Sequence, residues 1–413
     1  MSPAQPSPRI PPGPLRRLLV SLPPVNLALF LVWGAVPPVL LAVLVQGIDP
    51  AGKERSLALV LAVGALAAMI AQPLAGLLSD RTRSRWGRRT PWLVGGSAAG
   101  AAALVLLGQG RTIAQVLAAW VAVQILLNLA QGPLSAVLPD RVPRALRGTF
   151  SAATGLGLML GMLGGQVFGA VFSERIALGT ALLGGIALAA LLGFSVLNPD
   201  ADNRGDAVPP LSARAALLGS WVAPLRHPDF VWAFLGRLLL NLGYSLIMTY
   251  LLYILQEIVG LSLAEAIVLV PVIAGTGAVF VLLSTVISGP LSDRLRRRRV
   301  FVFASAMILT GAMWLPLAMP TVPGVIIFGA LAGFGFGIFQ AVDTALISEV
   351  LPDQAAAGKD LGVINIAATL PQTVAPALAG VIAVSVGYVW LFPVAAVLVF
   401  LAGLAVIPIR SVR

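Results

Sequence analysis

Apolar runs long enough to cross a lipid bilayer recur along nearly the whole chain, and this pattern restricts the possible folds more than any other feature. A transmembrane helix needs about 20 consecutive, mostly apolar residues. The runs between charged residues and prolines predict twelve helices, at 22–46, 56–78, 91–109, 113–138, 148–172, 176–197, 229–257, 264–288, 300–319, 323–349, 361–384 and 388–409. With 58% hydrophobic and 10% charged residues, the chain cannot be a water-soluble globular protein. We therefore expect an all-α integral membrane protein.

The predicted helices form two groups of six, separated by a polar stretch that contains proline. This division predicts five segments: a disordered cytoplasmic tail at 1–21, a six-helix bundle at 22–197, a cytoplasmic linker at 198–228, a second six-helix bundle at 229–409 and a cytoplasmic tail at 410–413. The first apolar run is too long for a signal peptide and lacks an obvious small-residue cleavage site. Helix 1 is therefore expected to stay in the mature protein.

The basic residues are distributed unevenly between the two predicted sides of the membrane. Of the 27 Lys and Arg residues, 22 lie at the termini or after even-numbered helices, four lie in the other loops, and Arg237 lies inside helix 7. The positive-inside rule then predicts a multi-pass protein of the cytoplasmic (plasma) membrane with both termini in the cytoplasm. Membrane topology accounts for the net charge of +11, so nucleic acid is not an expected partner.

Two short motifs repeat with the same spacing in the two halves. Gly76–Arg81 ends helix 2 and Gly289–Arg294 ends helix 8, and these segments are 213 residues apart. Leu138–Asp140 ends helix 4 and Leu351–Asp353 ends helix 10, again 213 residues apart. A shared offset predicts two six-helix halves in the same orientation, which is the parallel repeat of transporters whose two halves move around a central binding site.

These motifs carry a family resemblance. The glycine, serine, aspartate and arginine pattern after helix 2, repeated after helix 8, resembles the loop signature of the major facilitator superfamily. The segment Ser79–Trp92 (SDRTRSRWGRRTPW) resembles the glycoside-pentoside-hexuronide cation symporters and the related sucrose transporters, as does Lys359–Gln372 at helix 11. The resemblance implies the twelve-helix major facilitator fold, alternating access to a small-molecule site, no cofactor and a monomer surrounded by lipid.

The loop motifs are predicted to close the cytoplasmic side of the transporter. A carboxylate near a helix end and near arginines gains charge-dipole and charge-assisted hydrogen-bond energy only while those elements touch. By resemblance, a gating role falls to Asp80, Arg81, Arg85 and Arg88 and to the second copy, Asp293 and Arg294, while Gly76 and Gly289 would allow close approach of helices. For Arg83, Arg89 and 296–299 we instead favour contact with anionic lipid headgroups.

Polar side chains share one face on each of four predicted helices. Because polar groups are costly in hydrocarbon, such stripes normally face the bundle interior or a wet cavity. By resemblance these helices line the central cavity, and the predicted cavity residues are Asn26 and Trp33 on helix 1, Gln124, Asn128 and Gln131 on helix 4, Arg237, Asn241 and Tyr244 on helix 7, and Gln340 and Asp343 on helix 10. Amides and aromatic faces suit a sugar. Interhelical hydrogen bonding is the alternative role for each amide.

Arg237 and Asp343 are the charges placed deepest within the predicted spans. Both lie roughly 12 to 15 Å from the cytoplasmic ends of their helices, at 1.5 Å rise per residue. We expect them to pair, and either to couple a proton gradient to transport or to form a static ion pair. Glu257, near the outer end of helix 7, is expected to be solvated.

Several absences restrict the chemistry. The sequence has no cysteine and one histidine, His227, so we expect no enzyme, cofactor or metal site. No carboxylate lies between Ser56 and Ser79, and helix 4 carries amides, so proton coupling is favoured over sodium and uniport stays open. Six glycines between Gly155 and Gly169 predict tight packing of helix 5. Drug antiporters of the family that it resembles carry a glycine-proline signature on this helix, and the absence of proline here disfavours drug antiport.

The sequence therefore predicts a secondary active transporter for a small polar solute, a sugar or glycoside, that works by alternating access with proton coupling. A drug or metabolite efflux facilitator is the first alternative. A non-transporting membrane sensor built on the same fold is the second, because a sequence cannot show that turnover occurs.

Overall fold

The structure, a computed structural model, describes residues 13–143, 146–206, 227–295, 297–350 and 357–409. Within these ranges the regular structure is entirely helical. The predicted tails at 1–12 and 410–413, most of the linker and Arg296 lie outside the described residues, as do the side chains of Asp293 and Thr344.

The first half contains six helices. They are α1 (Pro14–Ile48), α2 (Lys53–Arg81), α3 (Thr90–Gly108), α4 (Ile113–Arg141), α5 (Arg147–Val171) and α6 (Ile176–Leu197). Helix α1 contains a π-helical turn at Val36–Leu40. Pro37 and Pro38 lie in this turn, and prolines lack the N–H that continues an α-helical ladder.

The second half repeats this series. Its helices are α7 (Pro228–Thr249, continued by Leu251–Glu257), α8 (Leu263–Leu295), α9 (Arg298–Ala318), α10 (Val322–Val350), α11 (Ala357–Ser385) and α12 (Tyr388–Ala405). Eleven helices of the described chain are long and apolar enough to span a membrane. Helix α11 contributes a shorter apolar helix, Leu370–Ser385, so twelve crossings stay a prediction.

The predicted N-terminal tail is wrong in its last part, because α1 begins at Pro14 and not near residue 22. Proline is favoured in the first helical turn, where its missing N–H leaves no hydrogen bond unmade. Leu18 and Leu22 are both 2% exposed and belong to an apolar cluster that includes Phe150 and Phe194. Burial of these leucines holds the added turns in helical form, and hydropathy across a membrane span does not detect such burial.

The chain divides into two compact units whose boundaries differ from the predicted domains. One unit comprises Met1–Ala51 and Val63–Pro209, and the other comprises Gly52–Ala62 and Pro210–Arg413. The described start of the predicted linker, 198–206, thus belongs to the first unit. The first ten residues of α2 belong to the second unit, although the rest of that helix belongs to the first.

Glycines of α5 pack closely against α1, which confirms the predicted tight packing of this helix and identifies its partner. Gly157, Gly161 and Gly165 lie on one buried face of α5 at spacings of four residues. A Cβ atom added at Gly161 would lie 2.5 Å from the carbonyl oxygen of Leu27 in α1, and one at Gly165 would lie 2.8 Å from Cα of Gly34. Larger residues would therefore push the two helices apart.

Corresponding helix crossings confirm the internal repeat. In the first unit, Gly64 of α2 lies against the buried ring of Trp120 in α4, so that an added Cβ would be 2.5 Å from its Cδ1 atom. The residues 213 positions later are Gly277 of α8 and Gly333 of α10, and a Cβ on Gly333 would lie 2.7 Å from Cα of Gly277. Both halves thus place the same pair of helices in contact at the same point.

Candidate functional site

In the second unit, Arg237 of α7 and Asp343 of α10 form the predicted ion pair. The Nη1 atom of Arg237 lies 3.0 Å from Oδ2 of Asp343. The Asp343 side chain is 7% exposed and that of Arg237 is 21% exposed. A charge buried to this degree is expensive unless it is paired, which explains the contact. Among the described residues, the buried Nε atom of Arg237 has no hydrogen-bond partner.

A second contact joins the same two helices two turns away. The rings of Tyr244 and Phe336 stack with centroids 4.4 Å apart and an interplanar angle of 12°. Tyr244 lies seven residues after Arg237, and Phe336 lies seven residues before Asp343, so α7 and α10 run antiparallel at this contact. Seven residues span roughly 10 Å along a helix. We call the ion pair and the ring pair together the α7–α10 site.

Neutral amides lie between these two contacts. Asn241 donates from Nδ2 to the carbonyl oxygen of Arg237 over 2.8 Å. Gln340 is exposed and lies four residues after Phe336 on the same face of α10. The site therefore combines a neutralised charge pair, aromatic faces and an amide that can both donate and accept hydrogen bonds.

The predicted cavity residues of the first unit form local and interhelical hydrogen bonds. Trp33 of α1 donates from Nε1 to Oε1 of Gln131 in α4 over 3.0 Å. Asn128 donates from Nδ2 to the backbone oxygen of Gln124 over 2.7 Å, and Asn26 donates to the backbone oxygen of Leu22 over 2.8 Å. Asn26 and Asn128 are buried, and each donates to the backbone of its own helix. The hydrogen bond between Trp33 and Gln131 instead joins two helices.

At the predicted cytoplasmic end of the first unit, Arg89 is the centre of an ion network. Its side chain is 7% exposed, and its Nη2 atom lies 2.9 Å from Oδ1 of Asp80 and 2.7 Å from Oδ2 of Asp140. Its Nη1 atom donates to Oγ of Ser79 over 2.6 Å. Arg88 also contacts Asp140, at 2.9 Å. The assignment of Arg89 to lipid headgroups is therefore wrong.

The start of the predicted linker is attached to this network. Asp200 accepts hydrogen bonds from the backbone nitrogen of Arg89 over 2.9 Å and from Nη2 of Arg141 over 2.7 Å. Asn203 accepts from the backbone nitrogen of Ser84 over 2.9 Å. Gly87 has φ +77°, and an added Cβ would collide with Asp200. Segment 198–206 is thus docked against the loop between α2 and α3 and is not a free linker.

The other predicted gating residues of this loop lie around the network. Arg81 is the half-buried last residue of α2. Arg85 is exposed, and its guanidinium carbon lies 5.8 Å from the centre of the Trp86 ring. Arg83 donates to the backbone oxygen of Asp80 over 2.9 Å, so it too has contacts within the loop.

The repeated glycines do not themselves make room for a neighbouring helix. An added Cβ at Gly76 or Gly289 would meet no atom of the described residues within 4 Å. The tight contact of this region is made by Gly132 of α4, where a Cβ would lie 2.9 Å from Cβ of Ala75 and 3.2 Å from the backbone oxygen of Gln72. The backbone nitrogen of Gly76 lies 3.5 Å from the same Cβ position, so α2 and α4 approach closely at Gly76, but the missing side chain that permits this approach is that of Gly132.

The loop that follows the second copy of the motif is shorter than the first. Helix α3 begins nine positions after the end of α2 and has Arg89 at its N-cap, whereas α9 begins three positions after the end of α8 and has Arg297 at its N-cap. Ser292, which corresponds to Ser79, has a buried Oγ atom with no partner in the described part of the chain. Arg294 is exposed at the end of α8. Arg299 donates to the backbone oxygens of Ile407 and Ile409 after α12, and thus has a structural contact.

Comparisons with known proteins agree with this architecture. The sequence model of the Major Facilitator Superfamily matches residues 24–288 and 273–413. An uncharacterized symporter of Synechocystis sp. is 57% identical over 49 residues, which are 12% of this chain and 9% of the relative. A sucrose transport protein of Arabidopsis thaliana is 31% identical over 129 residues, which are 26% of this chain and 25% of the relative. The chain thus matches about a quarter or less of each of these relatives.

Solved structures resemble the whole chain. The nucleoside transporter NupG superimposes with a TM-score of 0.74 at 12% identity, covering 95% of this chain and 99% of that one. A bacterial homologue of the human lysosomal transporter Spinster gives 0.70 at 14% identity, with 96% and 98% covered. At such low identity these likenesses concern the fold alone.

Proposed function

The chain belongs to the Major Facilitator Superfamily, and we propose that it is a secondary active transporter that moves a neutral sugar or glycoside together with protons by alternating access. The observation that carries this proposal is the buried pair of Arg237 and Asp343 beside the stacked rings of Tyr244 and Phe336. The partial matches to a symporter and to a sucrose transport protein support it.

The ion pair provides a means of coupling to protons. When Asp343 is ionised, the pair is neutral overall and stable in a site of low polarity. When Asp343 takes up a proton, Arg237 loses the charge that offsets its own, and the balance between the conformations of the transporter changes. Asp343 is also the acid placed deepest in the predicted spans, whereas a sodium ion would need several oxygen ligands.

The neighbouring groups favour an uncharged, hydroxylated ring as the solute. The faces of Tyr244 and Phe336 can contact the apolar face of a sugar ring. The amide of Gln340 can donate to one hydroxyl and accept from another. Because Asp343 already neutralises Arg237, an anionic solute would have to compete with that carboxylate. In the first unit we propose Gln124 and Gln131, both half-buried, as further contacts.

We extend the proposal to the cytoplasmic network, which would hold the transporter closed on that side. Asp80 is 48% exposed and shares Arg89 with Asp140, which is 29% exposed. The ion pair of Asp80 with Arg89 can therefore break while Asp140 still pairs with the buried guanidinium of Arg89. Arg81, Arg85 and the second copy of the motif at Asp293 and Arg294 are proposed as secondary contributors, on the family resemblance alone.

The test is uptake of labelled mono- and disaccharides into proteoliposomes, with and without an inward proton gradient. We expect one sugar to accumulate only with the gradient, and Asp343→Asn to abolish accumulation. Asp202→Asn is the matched control, because Asp202 is exposed and its carboxylate pairs with the neighbouring Arg204. That contact lowers the pKa of Asp202 through a side-chain hydrogen bond.

Two results would contradict the proposal. Uptake of no sugar by active, folded protein would refute the substrate class and favour efflux of apolar or amphipathic compounds. Accumulation that is equally strong in Asp343→Asn would leave a sugar transporter in which the ion pair has only a structural role.

A further inference from the structure

Asp343 is a buried acid, and protons need a route through the protein if this acid couples transport to a proton gradient. Its side chain is 7% exposed. Glu257, which the sequence predicts to be solvated, has a cationic partner in Lys53 at 2.9 Å, but its side chain is 47% exposed. Water therefore reaches Glu257 directly, whereas a proton reaches Asp343 only past other groups. Polar side chains between Asp343 and the surface are the candidates for such a route.

Three serines follow one face of the second half of α8. Ser284, Ser288 and Ser292 are spaced by four residues and are 0%, 3% and 2% exposed. Ser292 lies three residues before the end of the helix at Leu295, and both Arg294 and Leu295 are exposed. The serine row thus extends from the interior of the second unit to the predicted cytoplasmic end of α8.

Two of these hydroxyls have no partner in the described part of the chain. Ser284 donates to the backbone oxygen of Val281 over 3.1 Å, as serines within helices commonly do. The Oγ atoms of Ser288 and Ser292 are buried without a hydrogen-bond partner among the described residues. A buried hydroxyl without a partner is costly, and buried water is a frequent means of satisfying such a group.

The serine row begins at the interface between α8 and α10. A Cβ atom added at Gly337 of α10 would collide with Oγ of Ser284 and lie 2.8 Å from Cα of Val281, which is 56 positions earlier in the chain. Thr285 of α8 donates from Oγ1 to the backbone oxygen of Gly337 over 3.2 Å. Hydroxyl groups of α8 therefore already contact α10 at the upper end of the row.

The register of this interface sets the level of the two unpartnered serines. Gly333 of α10 lies against Gly277 of α8 with the same offset of 56 positions, since an added Cβ would lie 2.7 Å from Cα of Gly277. Two contacts with one offset mean that α8 and α10 run parallel here. The offset places Ser288 opposite position 344, and thus at the level of Asp343.

We propose that a row of buried water molecules, bound by Ser288 and Ser292, carries protons between the predicted cytoplasmic end of α8 and Asp343. Four residues span about 6 Å along a helix, and a water molecule that bonds to two hydroxyls at about 2.8 Å each covers nearly this distance. Each hydroxyl accepts one proton and releases another, so the net proton is gained or lost by Asp343. The inference rests on the proposed proton coupling and adds a route within the second unit.

Serine is suited to this task by its chemistry. Its hydroxyl both donates and accepts a hydrogen bond and can rotate between partners. It carries no charge, so it holds water inside the second unit without adding a further buried ion beside Arg237 and Asp343.

The first experiment asks whether water reaches the serine row, and it uses the absence of cysteine from the sequence. Ser288→Cys and Ser305→Cys are introduced separately into the full chain, and exchange of S–H for S–D in heavy water is followed through the infrared band of the single thiol. Ser305 is the matched control, because it is 0% exposed and its hydroxyl donates to the backbone oxygen of Val302 over 2.7 Å. The thiol of Ser288→Cys should exchange about tenfold faster than that of Ser305→Cys, because exchange at a dry buried site requires local opening.

The second experiment asks whether the water carries protons. Ser288→Thr and Ser288→Val introduce branched side chains of nearly the same shape, so the two variants disturb packing alike and differ in the hydroxyl. Proton-driven accumulation of the sugar should be about tenfold slower in Ser288→Val than in Ser288→Thr. Exchange of labelled for unlabelled sugar should be equal in the two variants, because this exchange moves no net proton.

Equal thiol exchange in Ser288→Cys and Ser305→Cys would refute the buried water. Equal accumulation in Ser288→Thr and Ser288→Val would refute its part in proton transfer. The thiol measurement needs neither a sugar nor Asp343, so a failure of the proposed function is distinguishable from a failure of the water row.

Discussion

Asp140→Asn and Asp80→Asn are predicted to differ strongly in stability, although both remove one carboxylate from Arg89. Arg89 is the buried member of the network, and it contacts both acids through the same Nη2 atom. Removing one partner of a fully buried ion pair costs about 3–5 kcal/mol, because it leaves the other charge without compensation. Exposed pairs contribute only about 0.2–1 kcal/mol. The burial of each acid therefore sets the size of its effect.

The magnitudes follow from the geometry of each acid. The carboxylate of Asp140 accepts hydrogen bonds from Nε and Nη2 of Arg89 and from Nη2 of Arg88, and its side chain is 29% exposed. Since Asp80 still contacts Arg89 in the variant, we reduce the buried-pair figure to about 2 kcal/mol for Asp140→Asn. Asp80 makes one contact with Arg89 and is 48% exposed, so Asp80→Asn should cost about 0.5 kcal/mol.

The assay is equilibrium unfolding in mixed micelles, followed by tryptophan fluorescence, for the two single variants and for the double variant Arg89→Met, Asp140→Leu. The double variant should be more stable than Asp140→Asn, because it removes the buried charge together with its partner. Equal destabilisation by the two single variants would refute the reasoning, and so would a double variant less stable than Asp140→Asn. Either result would mean that Arg89 is hydrated and not dependent on Asp140.

Three further predictions concern packing, the candidate site and the docked segment. Gly161→Leu should prevent α5 from packing on α1 and abolish monodisperse protein in size-exclusion chromatography, whereas Gly155→Leu should behave as wild type because that position is exposed and has no atom within 4 Å of an added Cβ. Tyr244→Leu should raise KM for the transported sugar about tenfold, because it removes the ring contact. The KM of the control Tyr244→Phe should stay within about twofold of the wild-type value. Equal KM values for Tyr244→Leu and the wild type would exclude a role of the ring. Asp200→Ala should speed hydrogen exchange in segment 198–206, while Asp202→Ala should not, and unchanged exchange in both would show that Asp200 does not hold the segment.

Hydropathy predicts where a helix lies in lipid, but it does not predict where that helix ends in water or in protein. Helix α6 begins and ends at the predicted residues, since charged residues or polar turns bound it closely. Helix α1 begins eight residues earlier than predicted, because Leu18 and Leu22 are buried against other helices. Helix α8 continues to Leu295 through the repeated glycine motif, which the sequence placed after the end of the helix.

The predictable part of the candidate site depends on helical spacing, and the unpredictable part depends on distant partners. Equal depth in two helices was sufficient to predict the contact of Arg237 with Asp343. Arg89, in contrast, is one of five arginines between positions 81 and 89, and nothing in its local sequence distinguishes it. Its partner Asp140 lies 51 residues later, within a repeated motif that marks the end of α4. Only tertiary structure identifies which arginine reaches that acid.

The network around Arg89 and Ser79 is not repeated around Ser292 among the described residues. Each half keeps the serine of the loop motif, and in the first half Arg89 donates to Ser79 from the N-cap of α3. The second loop is six positions shorter, because α9 begins three positions after α8 ends whereas α3 begins nine positions after α2 ends. The hydroxyl of Ser292 is accordingly buried with no partner in the described chain. If the network closes the cytoplasmic side as proposed, the first copy should contribute more than the second, and we expect substitutions in Asp293 or Arg294 to affect transport less than those in Asp80 or Arg89.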